Sequence, residues 1–503
     1  MTSSWLFGSR KTLTFSLLLA FLLALGIRLY DLSDLPLDFN PARQLFSMVK
    51  ARGMYYAITP GLPEWQREIA IRQWQQSPVI EPPVIEALVA ISYRLVGENL
   101  AVPRLYSILF WLVGGIFLFA LAQKLTNPNG AFFALLVYLF LPFGIYASRS
   151  FQPDPLMVAL IIIALWALWN WRETGAWRWA VAAGLLNGLA IFIKNVAVFP
   201  LALAAFSLVI ERGWLASLKD RQTWGVAALS ILPVALYTAY GVFLAGYLGG
   251  QFAFRFFPNL WSDPAFYLRW KGQLEGVFGL SVVLLALTGV FLSSSRRVFA
   301  FLVGLWTGYF LYSMTFAYHT STHDYYQLPF IPIVALSLAP VAQFLLERAA
   351  ALRPLWLIRL SAGLGLLLMV TLEIWTARVE LARNDYRPDA EYFAMIGSLT
   401  GHTLEPVASV SQDYGGRLAY WGWQINEPWY DESQLALRQA AGRDIDLASR
   451  FAEFIQGKRF FVVTRLAEFE NNPALREALY SHYAIHAEGR GFVIFDLTRP
   501  LEP

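Results

Sequence analysis

Eleven runs of apolar residues punctuate this chain, each close to the length that crosses a bilayer, and they leave room for few other fold classes. A spanning helix needs roughly 20 predominantly apolar residues. The runs lie at 12–30, 101–124, 130–148, 154–171, 177–193, 195–210, 224–246, 276–294, 297–318, 327–346 and 355–376. Of the 503 residues, 57% are hydrophobic and 15% charged, against about 25% charged in soluble domains. The expected fold is an α-helical polytopic membrane protein of about eleven spans with juxtamembrane helices and a small C-terminal α/β domain.

The basic residues give the orientation. With 83–97 left out of the membrane, the turns on the side of the N-terminus carry Lys124, Arg172 and Arg178, then Arg212, Lys219 and Arg221, then Arg296 and Arg297, then Arg348 and Arg353. Each such turn is basic, as the positive-inside rule requires. The N-terminus is therefore expected in the cytoplasm, and 83–97, which carries Glu86, Tyr93 and Arg94, at the interface or as a re-entrant helix. The run 12–30 follows Arg10 and Lys11 and has no small-x-small site before Asp31. It reads as a retained anchor, not a cleaved signal. The segments 177–193 and 195–210 read as one broken pair meeting at Lys194.

Two stretches stand outside the spans. The first outer loop, 31–100, holds two polar-aromatic segments of helical character, Arg43 to Tyr56 and Glu64 to Gln76. A loop of that length is uncommon unless it functions. Residues 377–503 turn polar, with β-like runs at Val407–Val410, Arg459–Val463 and Phe492–Phe495 between helical patterns at Ala390–Leu399, Asp446–Gln456 and Pro473–Tyr480. The expected division is a spanning domain over 1–376, including the outer loop, and an extracytoplasmic α/β domain over 377–503. There is no cysteine, which excludes disulfides, thiolate metal sites and cysteine nucleophiles. The net charge of +4 sits in short inter-span turns and is a topology signal, so no nucleic-acid partner is expected.

On the outer face the charged residues that stand out as candidates are Asp38, Glu81, Arg149, Asp154, Lys194, Arg255, Asp263, Arg269 and Lys271, with His319, His323 and Asp324 ahead of Tyr325 and Tyr326. Each has a plain structural reading. Asp154, between two prolines where a span begins, suits a helix N-cap. Asp38 suits a solvated turn after Pro36, Glu81 a helix start, and Lys194 a snorkelling anchor. His319, His323 and Asp324 carry metal-capable atoms without a third histidine nearby, so a divalent metal is the lesser reading and no metal ligand is assigned.

The functional reading rests on convergence, because a carboxylate at a membrane face is costly without a partner or a task. Arg149, five residues before Asp154, is the expected partner. Acids beside Arg, Lys and Tyr at headgroup level suit sugar transfer from a lipid phosphate. Cations hold the phosphate, a carboxylate deprotonates an acceptor hydroxyl, and direct displacement inverts the anomeric centre. Catalytic candidates are Asp38, Asp154 and Glu81; donor-binding candidates are Arg149, Lys194, Arg255, Arg269, His323, Asp324, Tyr325 and Tyr326.

Several motifs in order resemble the GT-C glycosyltransferases of the protein O-mannosyltransferase-like group, which includes the aminoarabinose transferase acting on lipid A. They are a first span with a long acidic loop, Glu81-Pro82-Pro83-Val84-Ile85, Arg104-Leu-Tyr-Ser107, the hairpin from Arg149 to Asp154, and His323-Asp-Tyr-Tyr-Gln-Leu-Pro329. The resemblance covers roughly 10–376 and implies a polyprenyl-phosphate sugar donor, a lipid, glycan or protein acceptor, and a catalytic acid in the first outer loop. Where such proteins commonly carry adjacent Asp-Glu, this chain has Asp38-Phe39-Asn40-Pro41. The base role is carried onto Asp38, with Glu81 and Asp154 as the alternatives. The expected location is a bacterial plasma membrane. Competing readings are a lipid or glycan flippase, for which no internal repeat is found, an oligosaccharide transferase, and a non-catalytic membrane sensor or scaffold.

Overall fold

Each of the eleven apolar runs forms helix in the computed structural model, which describes residues 6–249, 254–352, 354–443 and 446–501. Arg353, one of the basic turn residues, and residues 250–253 lie outside the described residues. The first ten α-helices are α1 (Arg10–Leu29), α2 (Pro41–Ile58), α3 (Glu64–Gln76), α4 (Val84–Val96), α5 (Ala101–Leu125), α6 (Pro128–Phe140), α7 (Pro142–Ala147), α8 (Asp154–Thr174), α9 (Trp177–Ile193) and α10 (Val198–Arg212). The chain is a multi-pass membrane protein. Eight described helices are long and apolar enough to cross a bilayer, or nine if one bent pair counts as a span, while α6 and α9 are apolar but shorter. At about 1.5 Å per residue, the 13 residues of α4 reach only about 20 Å, short of a hydrocarbon core of about 30 Å.

The structure corrects several boundaries. The run 130–148 is two helices, because Pro142 cannot supply an amide to the ladder of α6 and opens α7 instead. The run 276–294 belongs to a pair, Pro264–Phe278 and Leu280–Phe291, bent by 90° at Gly279, whose φ of 77° only glycine adopts freely. Arg269 and Lys271 therefore sit on a helix and not in a loop, with Asp263 as its N-cap. The run 297–318 stops at Thr315, and His319 lies on a separate short helix, Ala317–Thr322.

One compact unit comprises Met1–Leu32, Ile80–Pro82 and Arg104–Arg383. Its helices close on small residues. Gly304 and Gly308 on Arg296–Thr315 let that helix approach α10 until an added Cβ would lie 2.6 Å from the Leu203 carbonyl and 2.7 Å from that of Phe199. Gly184 and Gly188 on α9 do the same against Arg221–Ala239. This four-residue spacing of glycines is the usual device of helix packing in lipid, where close van der Waals contact replaces the hydrophobic drive. The unit is buried at α8 and at Ile331–Ala350 and exposes apolar side chains on α1 and Leu355–Leu381, such as Phe15, Leu22, Leu364 and Leu372. Such faces are expected toward lipid and not toward water.

The other unit comprises Ser33–Val79, Pro83–Pro103 and Asn384–Pro503, so most of the first outer loop groups with the C-terminal residues. Its sheet contains β1 (Val407–Val410), β2 (Asn426–Pro428), β3 (Phe460–Val463), β4 (Tyr483–Gly489) and β5 (Phe492–Pro500) in the order β2-β1-β3-β5-β4. β1 runs parallel to β2 and β3, whereas β5 is antiparallel to β3 and β4. Strand alternation splits the core between the two faces, with Ala408, Phe461, Val463, Val493 and Phe495 on one and Val407, Phe460, Val462 and Ile494 on the other. The outer-loop helices are tied in by polar contacts. Ser47 on α2 donates to Glu86 on α4 at 2.8 Å, and Gln73 on α3 donates to the carbonyls of Ala419 and Gln424, both at 2.8 Å.

Candidate functional site

Two buried charges of the spanning unit, Asp154 and Lys194, meet at the start of α8. Asp154 is the first residue of that helix, with Pro153 in the cap position. Pro155 fits the first turn, where its missing amide would have no partner anyway. Lys194 stands at the break between α9 and α10, in extended geometry (φ −153°, ψ 116°), which turns its side chain out of both helices. The break foreseen at Lys194 is present. Its ammonium donates to both carboxylate oxygens of Asp154, at 2.8 and 2.9 Å, and the two residues are 8% and 2% exposed. The expected pairing of Asp154 with Arg149 is thus replaced by Asp154 with Lys194. Arg149 is also buried, but two of its nitrogens donate to the carbonyls of Tyr30 and Asp31 just beyond α1, at 2.6 and 3.1 Å. A cation at a helix C-terminus is favoured by the helix dipole.

Aromatic side chains continue from the pair. The Lys194 ammonium lies 5.6 Å from the centre of the Tyr325 ring, and the Tyr325 and Tyr326 rings are 5.0 Å apart. Arg255 donates to the Tyr326 hydroxyl at 3.3 Å. His319 stacks on Tyr326 with ring centres 5.3 Å apart, and His323 stacks on His319 at 5.9 Å. Burial, with Arg255 and His323 beside it, lowers the His319 pKa to about 3, so the ring is neutral near pH 7. Burial also lowers that of His323, against the opposing pull of Asp324. Among the described residues, no group of three or more His, Asp or Glu side chains is arranged to hold a metal ion.

Not every candidate joins this cluster. Asp324 is exposed and touches the cluster through the His323 field. Arg269 is exposed and pairs with Asp263 at 3.3 Å. Glu81 belongs to the spanning unit, and its charge reaches Tyr237 on Arg221–Ala239. Asp38 belongs to the other unit, half-buried in the turn before α2. Sequence reasoning missed Tyr312, which stacks parallel to Tyr326 with ring centres 6.1 Å apart, donates to its carbonyl at 3.1 Å and feels the charge of Asp154. It sits inside an apolar run, where a tyrosine gives no distinct signal. Gln327, present in the motif His323–Pro329 but given no role there, bonds Tyr309 and the Thr320 carbonyl, bracing the segment that carries Tyr325 and Tyr326.

Residues 80–238 match the family model described as dolichyl-phosphate-mannose-protein mannosyltransferase. The stretch includes Glu81, Arg149, Asp154 and Lys194. The chain is similar in structure to ArnT from Cupriavidus metallidurans bound to undecaprenyl phosphate, with a TM-score of 0.56 at 15% identity over 90% of this chain and 95% of that one. The fold is that of the GT-C glycosyltransferases. A second similarity in the same group is to the oligosaccharyltransferase AglB from Archaeoglobus fulgidus in complex with an inhibitory peptide and a dolichol-phosphate. Its TM-score is 0.54 at 11% identity, over 94% of this chain and 72% of that one. No curated protein sequence matches the chain. The GT-C likeness agrees with the resemblance drawn from the sequence motifs.

Proposed function

We propose that the chain is an inverting glycosyltransferase that moves a sugar from a polyprenyl-phosphate carrier to an acceptor on the outer face of a bacterial plasma membrane. The observation that carries this reading is the buried Asp154–Lys194 pair with Arg255 and two tyrosines beside it. A lone ammonium beside the acyl region would be costly. The carboxylate aims it, and one of its three donors remains for a phosphate oxygen. Arg255 adds a second cation, and phosphate recognition of this type rests on such charge-assisted donors. The ligands in the neighbours, undecaprenyl phosphate and a dolichol-phosphate, support a carrier of this chemistry.

In the reaction the acceptor hydroxyl oxygen attacks the anomeric carbon from the face opposite the phosphate. The carbon–oxygen bond to phosphate breaks, and its electron pair leaves with the polyprenyl phosphate. The base takes the hydroxyl proton. Asp154 has both oxygens engaged by Lys194 and is assigned the positioning of that ammonium. The base is assigned to Asp38, as the resemblance implies, with Glu81 the remaining alternative. Neutral His319 and His323 are suited to hydrogen bonding and not to holding a second negative charge. On this reading the N-terminus is cytoplasmic and residues 384–503 are extracytoplasmic.

The test is transfer from a polyprenyl-phosphate sugar by the purified full chain, with the anomeric configuration of the product read by NMR. Transfer with inversion supports the reading, and retention of configuration contradicts it. Movement of labelled polyprenyl phosphate between leaflets without sugar transfer would favour the flippase.

A further inference from the structure

At the end of the spanning unit that carries the N-terminus, α1 and Leu355–Leu381 part to leave a groove of about 250 Å³, floored by α6. Its walls are apolar along most of their length, with Leu19, Leu23, Phe140, Leu366, Leu367 and Val370 among them. One end is polar. There Arg359 reaches the turn before α1, where a Cβ added to Gly8 would stand 3.6 Å from its Nη1, and Thr12 and Ser16 contribute hydroxyls. The Arg359 Nε is buried and has no hydrogen-bond partner among the described residues. Arg10 and Lys11, exposed at the start of α1, add two more cations, and neither α1 nor Leu355–Leu381 has an acid in its first turn.

The dimensions and the charge together specify an occupant. From Arg359 to Val370 a helix rises about 16 Å, close to half of a hydrocarbon core of about 30 Å. The groove is therefore one leaflet deep, cationic at the headgroup level and apolar below it. A buried donor on a cation without an acceptor is an unfavourable arrangement unless an anion supplies one. We propose that this groove holds one anionic phospholipid, with its phosphate on Arg359 near Arg10 and Lys11 and one acyl chain running toward Val370 and Phe140. The site lies at the start of α1, whereas Arg149 and the carbonyls of Tyr30 and Asp31 mark the other end of that helix. It is thus separate from the Asp154–Lys194 cluster and does not depend on the glycosyltransferase reading.

Native mass spectrometry of the delipidated full chain in a neutral detergent, titrated with dioleoyl-phosphatidylglycerol or dioleoyl-phosphatidylcholine, tests the proposal. The wild type should take up one phosphatidylglycerol in preference to phosphatidylcholine. Arg359→Gln should weaken phosphatidylglycerol binding about tenfold, as expected for one charge-assisted contact, and Arg359→Lys should recover most of it. Leu367→Trp, at a lipid-facing position that tolerates size, should fill the groove and exclude both lipids. Equal binding of the two lipids by the wild type, or unchanged phosphatidylglycerol binding by Arg359→Gln, would overturn the proposal. A lipid-free dimer that Leu367→Trp splits into monomers would also overturn it, by making the groove a seat for a second copy.

Discussion

Each unit of the molecule buries a cation against a carboxylate, and the two pairs are finished differently. In the outer-loop unit, Arg52 donates through Nε to Glu98 at 2.8 Å and through Nη1 to the Tyr420 carbonyl. Its guanidinium also lies over the Tyr420 ring at 3.5 Å and the Trp423 ring at 4.2 Å, while the Tyr420 hydroxyl donates to the same Glu98 oxygen at 2.5 Å. That pair is closed, tying α2 to the segment 420–423 on every side. In the spanning unit, Lys194 has one carboxylate on one side, an aromatic ring 5.6 Å away, and no further hydrogen-bond acceptor among the described residues. A closed pair of this kind holds a fold together, whereas an open one keeps a donor in reserve for a ligand.

The comparison is sharpest under mutation. Asp38→Asn removes the assigned base while keeping its size, and should lower transfer by about 10²–10⁴. Binding of the carrier and the unfolding temperature should stay near wild type; single-turnover assays and calorimetry read the two. Near-normal transfer would move the base to Glu81. Arg52→Gln opens the closed pair and leaves Glu98 without its buried cation. It should destabilise the outer-loop unit by about 3–5 kcal/mol, seen as early loss of protection in hydrogen exchange across 41–58 and 416–428. Carrier affinity of the molecules that remain folded should not change.

A smaller effect follows from His319. Its folded pKa of about 3 lies below the usual value of 6.5, so between those limits the unfolded chain binds a proton that the native site refuses. Its contribution to stability is complete above about pH 6.5 and is lost as pH falls toward 3. His319→Asn should flatten this part of the stability profile, measured by thermal unfolding across pH 4–7. An unchanged slope would mean that the ring protonates in the native state.

These tests also mark what the sequence could and could not carry. Runs of apolar residues and basic turns announce spans, because lipid imposes one requirement on every such segment. The strands at 407–410 and 460–463 were legible for a similar reason, being short buried runs between turns. β2 and β4 were not, since Asn-Glu-Pro lacks any strand pattern and β4 is a largely exposed edge. The four-residue glycine spacings at 184/188 and 304/308 are a sequence signal of where helices touch. At the site, Asp154 and Lys194 could be singled out by residue type and by their place at the ends of apolar runs. The partner of Asp154 could not. Arg149 is five residues away in sequence and Lys194 forty, and only the packing of α8 against the break at Lys194 decides between them. Grouping of the outer loop with residues 384–503 had no local signal either, because it rests on contacts such as Arg52 to Tyr420 across hundreds of residues.

The proposed transfer requires that the Asp154–Lys194 pair be kept for a ligand. Neutralising both members tests this directly, because Asp154→Leu with Lys194→Met leaves no unpaired charge behind, and replacing a buried ion pair by apolar residues of similar volume is often close to neutral for stability. Binding of undecaprenyl phosphate to the purified double variant, measured beside its unfolding temperature, separates a ligand site from a structural tie. If the pair serves the carrier, the double variant is folded and its affinity for undecaprenyl phosphate is about tenfold or more below wild type. A double variant that is equally folded and binds the carrier as the wild type does would contradict it, and would make this pair as structural as Arg52 with Glu98.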